Sequence, residues 1–200
     1  MTSNYWDKVY DRHRAEHSTD HSEFAQRALD YIKKHDLKKM LDIGPGIGSD
    51  TRFFYEMGMD LTAIDISGSV LYSLKIIIPT AKTILSDITD MDFPAHSFDC
   101  VYARLSLHYF NDETTGKIFN KIYDILVTGG ILFVQCKSEK DRDYGVGEMI
   151  EKDTFYKPDT HIRHFFTLDY FREKATRFKI VELDESSSFG SNYSNLIAQK

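Results

Sequence analysis

Apolar residues recur along the chain at two spacings, one typical of amphipathic helices and one typical of buried strands. From Phe24 to Ile32 the apolar side chains recur at helical spacing, which predicts a helix that ends near His35. After this helix, short apolar runs alternate with helical patterns, and such alternation indicates βαβ units with a parallel sheet. The predicted strands are Met40–Ile43, Leu61–Ile64, Thr83–Leu85, Phe98–Tyr102 and Ile131–Cys136.

Helical patterns fill the segments between these strands. The predicted helices are Asp50–Met57, Ser69–Ile78 and Glu113–Val127, with Gly58 and Gly129-Gly130 as C-terminal stops. Beyond them, Thr167 is expected to cap a short helix, Leu168–Ala175, and the apolar runs Phe178–Leu183 and Asn195–Ala198 predict a terminal antiparallel pair. We therefore predict an α/β fold with a mostly parallel sheet of about seven strands and helices on both faces.

The length of 200 residues fits one domain, so we predict a single domain over residues 1–200. Its expected parts are an N-terminal helical segment (1–38), an α/β core (39–136), a loop segment (138–166) and a C-terminal helix and strand pair (167–200). The loop segment is long, polar and rich in aromatic residues. Because long segments without secondary structure usually serve as lids or binding loops, we expect it to form one wall of a binding site.

Charge and hydropathy disfavour several classes of function. The chain has 31 Asp and Glu residues against 25 Lys and Arg residues, and the net charge of -6 disfavours binding to nucleic acid or to anionic membranes. No apolar stretch reaches the roughly 20 residues of a membrane span, and the N-terminus lacks the apolar core of a signal peptide, so a cytoplasmic location is expected. Cys100 and Cys136 lie within apolar runs, where buried thiols are commoner than a disulfide. Composition carries no prediction of the oligomeric state.

The segment Leu41–Thr51 has the pattern of a strand end, a glycine-rich turn and a helix start. Glycines in such a turn let the backbone bend tightly and let a ligand approach the main chain. The dinucleotide fingerprint G-x-G-x-x-G would need a glycine at position 49, but this chain has Ser49 there and its third glycine one place earlier, at Gly48. A phosphate-binding P-loop is also excluded, because no Gly-Lys-Ser/Thr follows.

Acidic residues lie at the ends of three successive predicted strands, at Asp42, Asp65 and Asp87. Asp65 follows the glycines by about 20 residues, which is the position of a ribose-binding carboxylate in doubly wound folds. Its two oxygens can accept hydrogen bonds from both ribose hydroxyls. The glycine turn and the spacing of Asp65 therefore predict a ribose contact at this edge of the sheet.

The spacing D-x-G-x-G-x-G from Asp42 to Gly48 resembles motif I of class I S-adenosylmethionine (SAM)-dependent methyltransferases. The resemblance implies a Rossmann-like methyltransferase fold, SAM as cofactor and S-adenosylhomocysteine as product. It also implies that Asp87 accepts from the adenine amino group and that the backbone N–H of Ile88 faces an adenine ring nitrogen. The charges agree, because SAM carries a sulfonium and an ammonium, whereas Asp42 would repel the pyrophosphate of NAD.

The predicted cofactor-binding residues combine the glycine turn, the strand-end acids with their neighbours, and aromatic residues near the N-terminus. They are Trp6, Tyr10, Asp42, Gly44, Pro45, Gly46, Gly48, Asp65, Ile66, Asp87, Ile88, Ala103 and Arg104. Ala103 and Arg104 are expected to contact the cofactor through their backbone. Two further segments, Gly147-Glu148-x-x-Glu151 and His164-Phe165-Phe166-Thr167, resemble a small-molecule subgroup related to tellurite-resistance methyltransferases. The turn Ala103–Ser106 lacks the Asn/Asp-Pro-Pro-Tyr/Phe sequence of enzymes that methylate nucleic-acid amines, which favours a small-molecule acceptor.

His108 is the candidate general base, because imidazole can take a proton near neutral pH, and a packing role at a helix start is the alternative. Tyr144, His161, Arg163 and His164 are the candidate substrate-binding residues of the loop segment. No metal site is predicted, since His161-x-x-His164 has no Cys or acid at a tight ligand spacing. Two other functions stay open: a SAM-binding module that transfers no methyl group and, less favoured by the glycine spacing, an NAD-dependent oxidoreductase.

Overall fold

The computed structural model describes residues 3–13, 20–157 and 161–200, so parts of the predicted N-terminal segment (1–2 and 14–19) lie outside the described residues. The helices are α1 (Ser3–His13), α2 (Glu23–Lys34), α3 (Ser49–Glu56), α4 (Gly68–Ile77), α5 (Asp112–Ile125) and α6 (Leu168–Lys174). The strands are β1 (Lys39–Ile43), β2 (Asp60–Asp65), β3 (Lys82–Leu85), β4 (Phe98–Arg104), β5 (Leu126–Lys137), β6 (Glu148–Glu151), β7 (Thr154–Tyr156), β8 (Ile162–His164), β9 (Lys179–Ser188) and β10 (Ser191–Gln199). Short 3-10 turns occupy Ile88–Asp90 and Leu107–Tyr109.

The centre of the fold is a seven-stranded sheet in the order β3-β2-β1-β4-β5-β10-β9. Strands β1 to β5 are parallel to one another, and β10 runs antiparallel to both β5 and β9. This topology confirms the predicted α/β fold and its C-terminal antiparallel pair. The strand order reverses between β1 and β4, and ligands of open α/β sheets bind beyond the carboxyl ends of strands at such a reversal.

Successive residues of the central strands point to opposite faces of the sheet, and each face has its own apolar core. Met40 and Phe133 cluster with buried side chains of α2, α3 and α4 on one face. Leu41 and Leu132 cluster with buried side chains of α5 and α6 on the other. Burial on both faces explains why the strands are short and almost uniformly apolar in sequence.

Side chains cap the N-termini of several helices, including α5 and α6 next to the carboxyl edge of the sheet. Asn111 Oδ1 accepts a hydrogen bond from the backbone N–H of Thr114 at 3.1 Å, at the start of α5. Thr167 Oγ1 accepts from the N–H of Tyr170 at 3.0 Å, at the start of α6. The predicted cap at Thr167 is confirmed.

The boundary between α5 and β5 differs from the prediction. The helix ends at Ile125 and the strand begins at Leu126, so Gly129-Gly130 lies within β5 and does not end a helix. Leu126 pairs with Phe98 of β4, and the register then shifts around the two glycines. An added Cβ on Gly130 would lie 2.9 Å from a backbone oxygen of β4, which accounts for glycine at this close approach of two strands. Apolar periodicity alone does not separate a buried helix end from a strand start.

The segment Ser138–Phe166, predicted to lack secondary structure, contains a three-stranded antiparallel sheet in the order β6-β7-β8. Phe155 in the middle strand pairs with Met149 on one side and with Arg163 on the other. Residues 158–160 of this segment lie outside the described residues. Strands of three or four residues show too little alternation to give a periodicity signal, which is why the prediction was wrong here.

Candidate functional site

A cleft of about 1100 Å³ opens at the carboxyl ends of β1, β2 and β4. Many of the residues predicted to bind the cofactor line it. They are Trp6, Tyr10, Asp42, Gly44, Pro45, Gly46, Asp65, Ile66, Asp87, Ile88 and Arg104. The tertiary structure thus brings residues of the N-terminal helix and of four strand ends together around one cleft. Gly48 and Ala103 do not line this cleft.

The glycine-rich turn between β1 and α3 forms the base of the cleft. Gly44 and Gly46 have φ angles of 73° and 57°, a backbone region that other residues disfavour. An added Cβ on Gly44 would lie 2.7 Å from the Cβ of Ser106, and one on Gly46 would lie 3.2 Å from the hydroxyl of Tyr10. Any side chain would therefore fill the space beside Tyr10 and Ser106, and the turn presents bare backbone to the cleft.

The third glycine of the motif has a packing role instead. Gly48 stands directly before α3 with a φ of 82°. An added Cβ there would lie 2.9 Å from Cδ1 of Leu74 on α4. Gly48 thus allows α3 and α4 to approach each other, which the motif alone did not reveal.

Asp42 lies beneath the turn and is 2% exposed. Its Oδ2 accepts a hydrogen bond from Thr51 Oγ1 at 2.6 Å. Burial raises the pKa of the Asp42 carboxyl to about 7, the hydrogen bond from Thr51 opposes this rise, and the charges of Asp50 and Asp65 add to it. A cation bound in the cleft would favour the charged form of this carboxyl.

Asp65 ends β2 and is also buried. Its Oδ1 accepts from the backbone N–H of Ser67 at 2.8 Å. Burial raises the pKa of Asp65 to about 6, while backbone hydrogen bonds from Ser67 and Ile66 pull it down and the charge of Asp7 pushes it up. The carboxylate is thus held in a fixed orientation at the place where the sequence predicted a ribose contact.

Asp87 follows β3 and caps the 3-10 turn that begins at Ile88. Its Oδ1 accepts from both the backbone N–H and the hydroxyl of Thr89, each at 2.9 Å. These bonds orient the carboxylate, and its other oxygen, Oδ2, bonds to none of the described residues. Both Asp87 and Ile88 line the cleft, side by side, as the adenine contacts implied by the resemblance would require.

Helix α1 lies over the cleft and contributes Trp6 and Tyr10 to its lining. The ring of Trp6 lies 4.7 Å from that of Tyr109, measured between centroids. The next residue, Asp7, accepts hydrogen bonds from the hydroxyl of Ser67 and from the backbone N–H of Ser69, at the start of α4. Burial and the nearby charge of Asp65 raise the pKa of Tyr10 above its ordinary value, so its phenol stays neutral.

The cleft lining also includes polar residues that the sequence analysis did not single out. They include Ser22, Asp50, Tyr102, Tyr109, Gln135, Ser186, Ser187, Ser188 and Tyr193. One signal could have found Gln135, because it interrupts the otherwise apolar run of β5 and polar side chains inside such runs are rare unless bonded. The serines lie near the tip of the β9–β10 hairpin, and only the antiparallel pairing brings that tip to the cleft.

The candidate base His108 does not line the cleft and is fully buried. Its Nδ1 accepts from the backbone N–H of Lys137 at 3.2 Å, so the lone pair on that nitrogen is occupied. Burial, with the positive charge of Arg163, holds the pKa of His108 well below its ordinary value. A neutral ring of this kind carries its proton on Nε2, and this geometry favours the packing role over the predicted base.

The candidate substrate-binding residues of the loop segment, Tyr144, His161, Arg163 and His164, do not line the cleft either. Tyr144 points away and donates to Asp153 Oδ1 at 2.8 Å. His161 packs behind Trp6, and the Arg163 guanidinium lies 5.2 Å from the Tyr109 ring centroid. From the described part of Ser138–Phe166, Ile162 alone reaches the cleft lining, because β8 turns its neighbouring side chains toward α1 and the turn at Leu107–Tyr109.

The described residues also bear on metal binding, on membrane crossing and on the two cysteines. No group of three or more His, Cys, Asp or Glu side chains in residues 3–13, 20–157 and 161–200 is arranged to hold a metal ion. No helix in the same ranges is long and apolar enough to cross a membrane. Cys100 and Cys136 are both buried free thiols.

Comparison with known proteins agrees with this site. A family model described as a methyltransferase domain matches residues 41–134, from the glycine turn to β5. The chain is 28% identical over 125 residues to the phosphoethanolamine N-methyltransferase of Plasmodium falciparum, a match that covers 60% of this chain and 47% of that relative. The chain therefore spans about half the length of this curated relative, and less of the plant relatives, since 24% of the maize enzyme is covered.

Solved structures share the fold. The 1,6-didemethyltoxoflavin-N1-methyltransferase of Burkholderia thailandensis, solved with 1,6-didemethyltoxoflavin and S-adenosylhomocysteine, has a TM-score of 0.71 at 18% identity, covering 99% of this chain and 87% of that one. The [4+2]-cyclase SpnF has a TM-score of 0.68 at 16% identity, covering 100% of this chain and 96% of that one. At such identities the likeness concerns the fold, and the resemblance to the tellurite-resistance subgroup stays a prediction. The family match, the sheet order and the glycine turn with its strand-end acids together identify residues 41–134 as a methyltransferase domain, within a fold shared with class I SAM-dependent methyltransferases.

Proposed function

We propose that this protein binds SAM in the cleft and transfers its methyl group to a small-molecule acceptor. The observation that carries the proposal is the convergence of Asp42, Asp65 and Asp87 on one cleft, beside a turn whose Gly44 and Gly46 leave no room for side chains. A nucleoside with a cationic substituent matches both features. The carboxylates suit its hydroxyls, amino groups and charge, and the bare turn suits close approach to the backbone.

In this proposal, different residues of the cleft bind different parts of the cofactor. Asp65 would accept from the ribose hydroxyls, while Asp87 and the N–H of Ile88 would bind the adenine edge. The turn at Gly44 and Gly46 would carry the methionine portion. Once bound, SAM supplies an electrophilic methyl group on a sulfonium.

The protein's own contribution is then to orient the two reactants and to exclude water. Trp6, Tyr10 and Tyr109 form an aromatic cover over the cleft, and the anchorage of Asp7 on Ser67 holds that cover down. Holding two reactants in line can contribute roughly 7–11 kcal/mol to lowering a bimolecular barrier, so a dedicated base is not required. This agrees with the burial of His108 away from the cleft.

A small-molecule acceptor is supported by the size of the cleft. About 1100 Å³ is enough for a nucleoside cofactor and a second molecule of similar or smaller size, and small-molecule sites in proteins commonly measure about 300–1000 Å³. The names of the relatives point the same way, since phosphoethanolamine and 1,6-didemethyltoxoflavin are small molecules. The net charge of -6 disfavours a nucleic-acid acceptor, and that exclusion stays a prediction.

A second function, SAM binding without methyl transfer, has one observation in its favour. The [4+2]-cyclase SpnF shares this fold, so the fold does not by itself dictate the reaction. Turnover separates the two functions. We expect S-adenosylhomocysteine to form when the protein is incubated with SAM and an extract of small metabolites, and formation no faster than without protein would favour the binding module.

Cofactor choice is tested by thermal unfolding with S-adenosylhomocysteine, SAM or NAD. A ligand that binds the native state and not the unfolded state raises the midpoint temperature of unfolding by mass action. We expect a rise with S-adenosylhomocysteine and with SAM and none with NAD. A larger rise with NAD would overturn the proposal and favour an oxidoreductase.

A further inference from the structure

Four neighbouring strands carry polar side chains in one row across the sheet, with the two middle side chains buried and the two end ones partly exposed. The row, called here the polar row, consists of Arg104 on β4, Gln135 on β5, Asn195 on β10 and Asp184 on β9, which are register partners in sequence. Arg104 Nε donates to Gln135 Oε1 at 3.0 Å, Gln135 Nε2 donates to Asn195 Oδ1 at 2.8 Å, and Asn195 Nδ2 donates to Asp184 Oδ1 at 2.7 Å. Every link is thus a direct side-chain hydrogen bond.

The direction of the polar row is determined by its two ends. A guanidinium can only donate and a carboxylate can only accept, so the amides of Gln135 and Asn195 must both point their oxygens toward Arg104. Gln135 and Asn195 are 5% and 1% exposed, which makes an unpaired alternative costly. At the far end Arg27 binds Asp184 through both of its terminal nitrogens. The Arg104 guanidinium is therefore held in a defined plane.

On its other side Arg104 faces Asp50, whose carboxylate already accepts hydrogen bonds from other groups. Asp50 accepts from the backbone N–H and the hydroxyl of Ser22 at 2.7 and 2.9 Å, and from the Tyr102 hydroxyl at 2.7 Å. The distance from Arg104 Nη1 to Asp50 Oδ2 is 3.6 Å, longer than a hydrogen bond. Nη2 of Arg104 bonds to no described residue, and its side chain is 33% exposed, with the cleft before it. Nη2 of Arg104 thus keeps donors for a ligand, while Asp50 partly balances the guanidinium charge across the 3.6 Å ion pair.

Arg104 also lies between the glycine turn and the β9–β10 hairpin, which both line the cleft. It ends β4, two residues before Ser106, which touches the glycine turn, and its partner Gln135 leads toward the hairpin that carries Ser186. We infer that Arg104 binds the carboxylate of the methyl acceptor, so that the acceptors are small molecules carrying a carboxylate near the nucleophilic atom. This inference rests on the proposed function. It gives the Arg104 side chain a role toward the acceptor, where the sequence had suggested only a backbone contact to the cofactor.

A planar carboxylate suits this site better than a phosphate group. Two parallel N–H donors of one guanidinium match the two oxygens of a carboxylate. A phosphate dianion would need more positive charge, and Arg27, the other arginine among the described residues that line the cleft, is engaged by Glu182 and Asp184. A cationic acceptor would meet the charge of Arg104 unfavourably.

The test measures fragment binding to the protein saturated with S-adenosylhomocysteine. The carboxylate probes are salicylate, anthranilate and 4-hydroxybenzoate, and each is compared with its primary amide. Phenyl phosphate and benzylamine are the phosphate and amine probes. Binding of every probe is measured by ligand-observed NMR. We expect at least one carboxylate to bind about tenfold more tightly than its amide, phenyl phosphate and benzylamine, as the loss of a charge-assisted bond predicts. Equal binding of amide, phosphate or amine, or no binding by any carboxylate, would overturn the inference.

Variants then assign the effect to Arg104. In Arg104→Gln the preference for carboxylates should disappear while the affinity for S-adenosylhomocysteine stays within about twofold of wild type. Arg104→Lys keeps the positive charge but loses the paired N–H donors of the guanidinium, so it should retain part of the preference for carboxylates. This variant also provides a test if Arg104→Gln does not fold. Arg172→Gln is the control, because Arg172 is an exposed residue of α6 paired with Asp169 and changes the net charge equally.

The outcomes separate this inference from the proposed function. If Arg104→Gln weakens S-adenosylhomocysteine as strongly as it weakens the carboxylates, Arg104 serves the cofactor and the inference fails. If wild-type protein does not bind S-adenosylhomocysteine at all, the proposed function fails first. Gln135→Leu tests the polar row as a positioning device. It should weaken carboxylates severalfold and leave the amides unchanged, whereas a general loss of structure would weaken both alike.

Discussion

Tyr5 and His161 lie 156 positions apart in the chain, and the Tyr5 hydroxyl is 3.1 Å from Nδ1 of His161. On the other side of the ring, Arg163 Nη2 lies 2.9 Å from Nε2, and because a guanidinium only donates, Nε2 is the acceptor. Burial lowers the pKa of His161 to about 4, so the ring is neutral and its proton lies on Nδ1, facing Tyr5. This contact ties the aromatic cover of the cleft to the small sheet.

We predict that Tyr5→Phe accelerates release of S-adenosylhomocysteine by roughly two- to tenfold, because one hydrogen bond that holds α1 closed contributes about 0.5–1.5 kcal/mol. The single tryptophan, Trp6, lines the cleft and reports release by stopped-flow fluorescence. Tyr72→Phe, at an exposed position of α4, is the control. Release at the wild-type rate in Tyr5→Phe would mean that this contact does not hold the cover.

Asp65→Asn should weaken S-adenosylhomocysteine by roughly ten- to a hundredfold, because charge-assisted bonds to the ribose hydroxyls would be lost. Asp60→Asn is the matched control, since Asp60 begins the same strand at an exposed position and pairs with Lys82 at 3.6 Å. Calorimetry should find wild-type affinity in the control. Unchanged affinity in a folded Asp65→Asn protein would place the ribose elsewhere.

Gly46→Ala and Gly58→Ala separate backbone strain from ligand contact. Both positions have positive φ, at 57° and 88°, so both variants should lose stability. An added Cβ on Gly46 would lie 3.2 Å from the Tyr10 hydroxyl, whereas one on Gly58 would meet nothing within 4 Å. Cofactor affinity should fall in Gly46→Ala alone, and an equal fall in both variants would indicate that strain, not contact, is responsible.

The affinity for SAM should rise with pH. Burial raises the pKa of Asp42 to about 7 and that of Asp65 to about 6, and a cation or a ribose hydroxyl favours the charged carboxylate. Binding should therefore release protons and tighten between about pH 5 and pH 8, as calorimetry in two buffers of different ionisation enthalpy would show. Proton uptake on binding, or affinity independent of pH, would contradict this assignment.

The same two carboxyls affect the unliganded protein in the opposite sense. Their pKa values in the folded state lie above the ordinary value of 3.8, so the native state holds more protons than the unfolded chain between about pH 4 and pH 7. Their contribution to the free energy of unfolding therefore falls as pH rises through that window. Asp42→Asn should flatten this part of the dependence, measured by urea unfolding without ligand, and an unchanged slope would show that Asp42 titrates normally.

Local pattern was sufficient for the central fold and for the order of the cofactor candidates along the chain. Apolar runs of β-strand length with glycine and acid at their ends specify parallel strands, because burial on both faces and the turn at Gly44 leave local signals. The positions of Asp65 and Asp87 were predictable for the same reason, because the carboxyl ends of parallel strands lie at one edge of the sheet. Short strands such as Thr154–Tyr156 carry no such signal, and the sheet they form was missed.

Only the tertiary structure decided which polar residues share the cleft. Whether His108 faces a ligand or the interior depends on the packing of the turn at Leu107–Tyr109 against β5 and β8, and no local property of an imidazole reports that. The row from Arg104 to Asp184 exists because β10 inserts antiparallel between β5 and β9, pairing residues separated by up to 60 positions in its direct bonds. The strand-end acids are carried by consecutive units, so sequence spacing was enough to predict them. The polar row depends on long-range register, which no local pattern encodes.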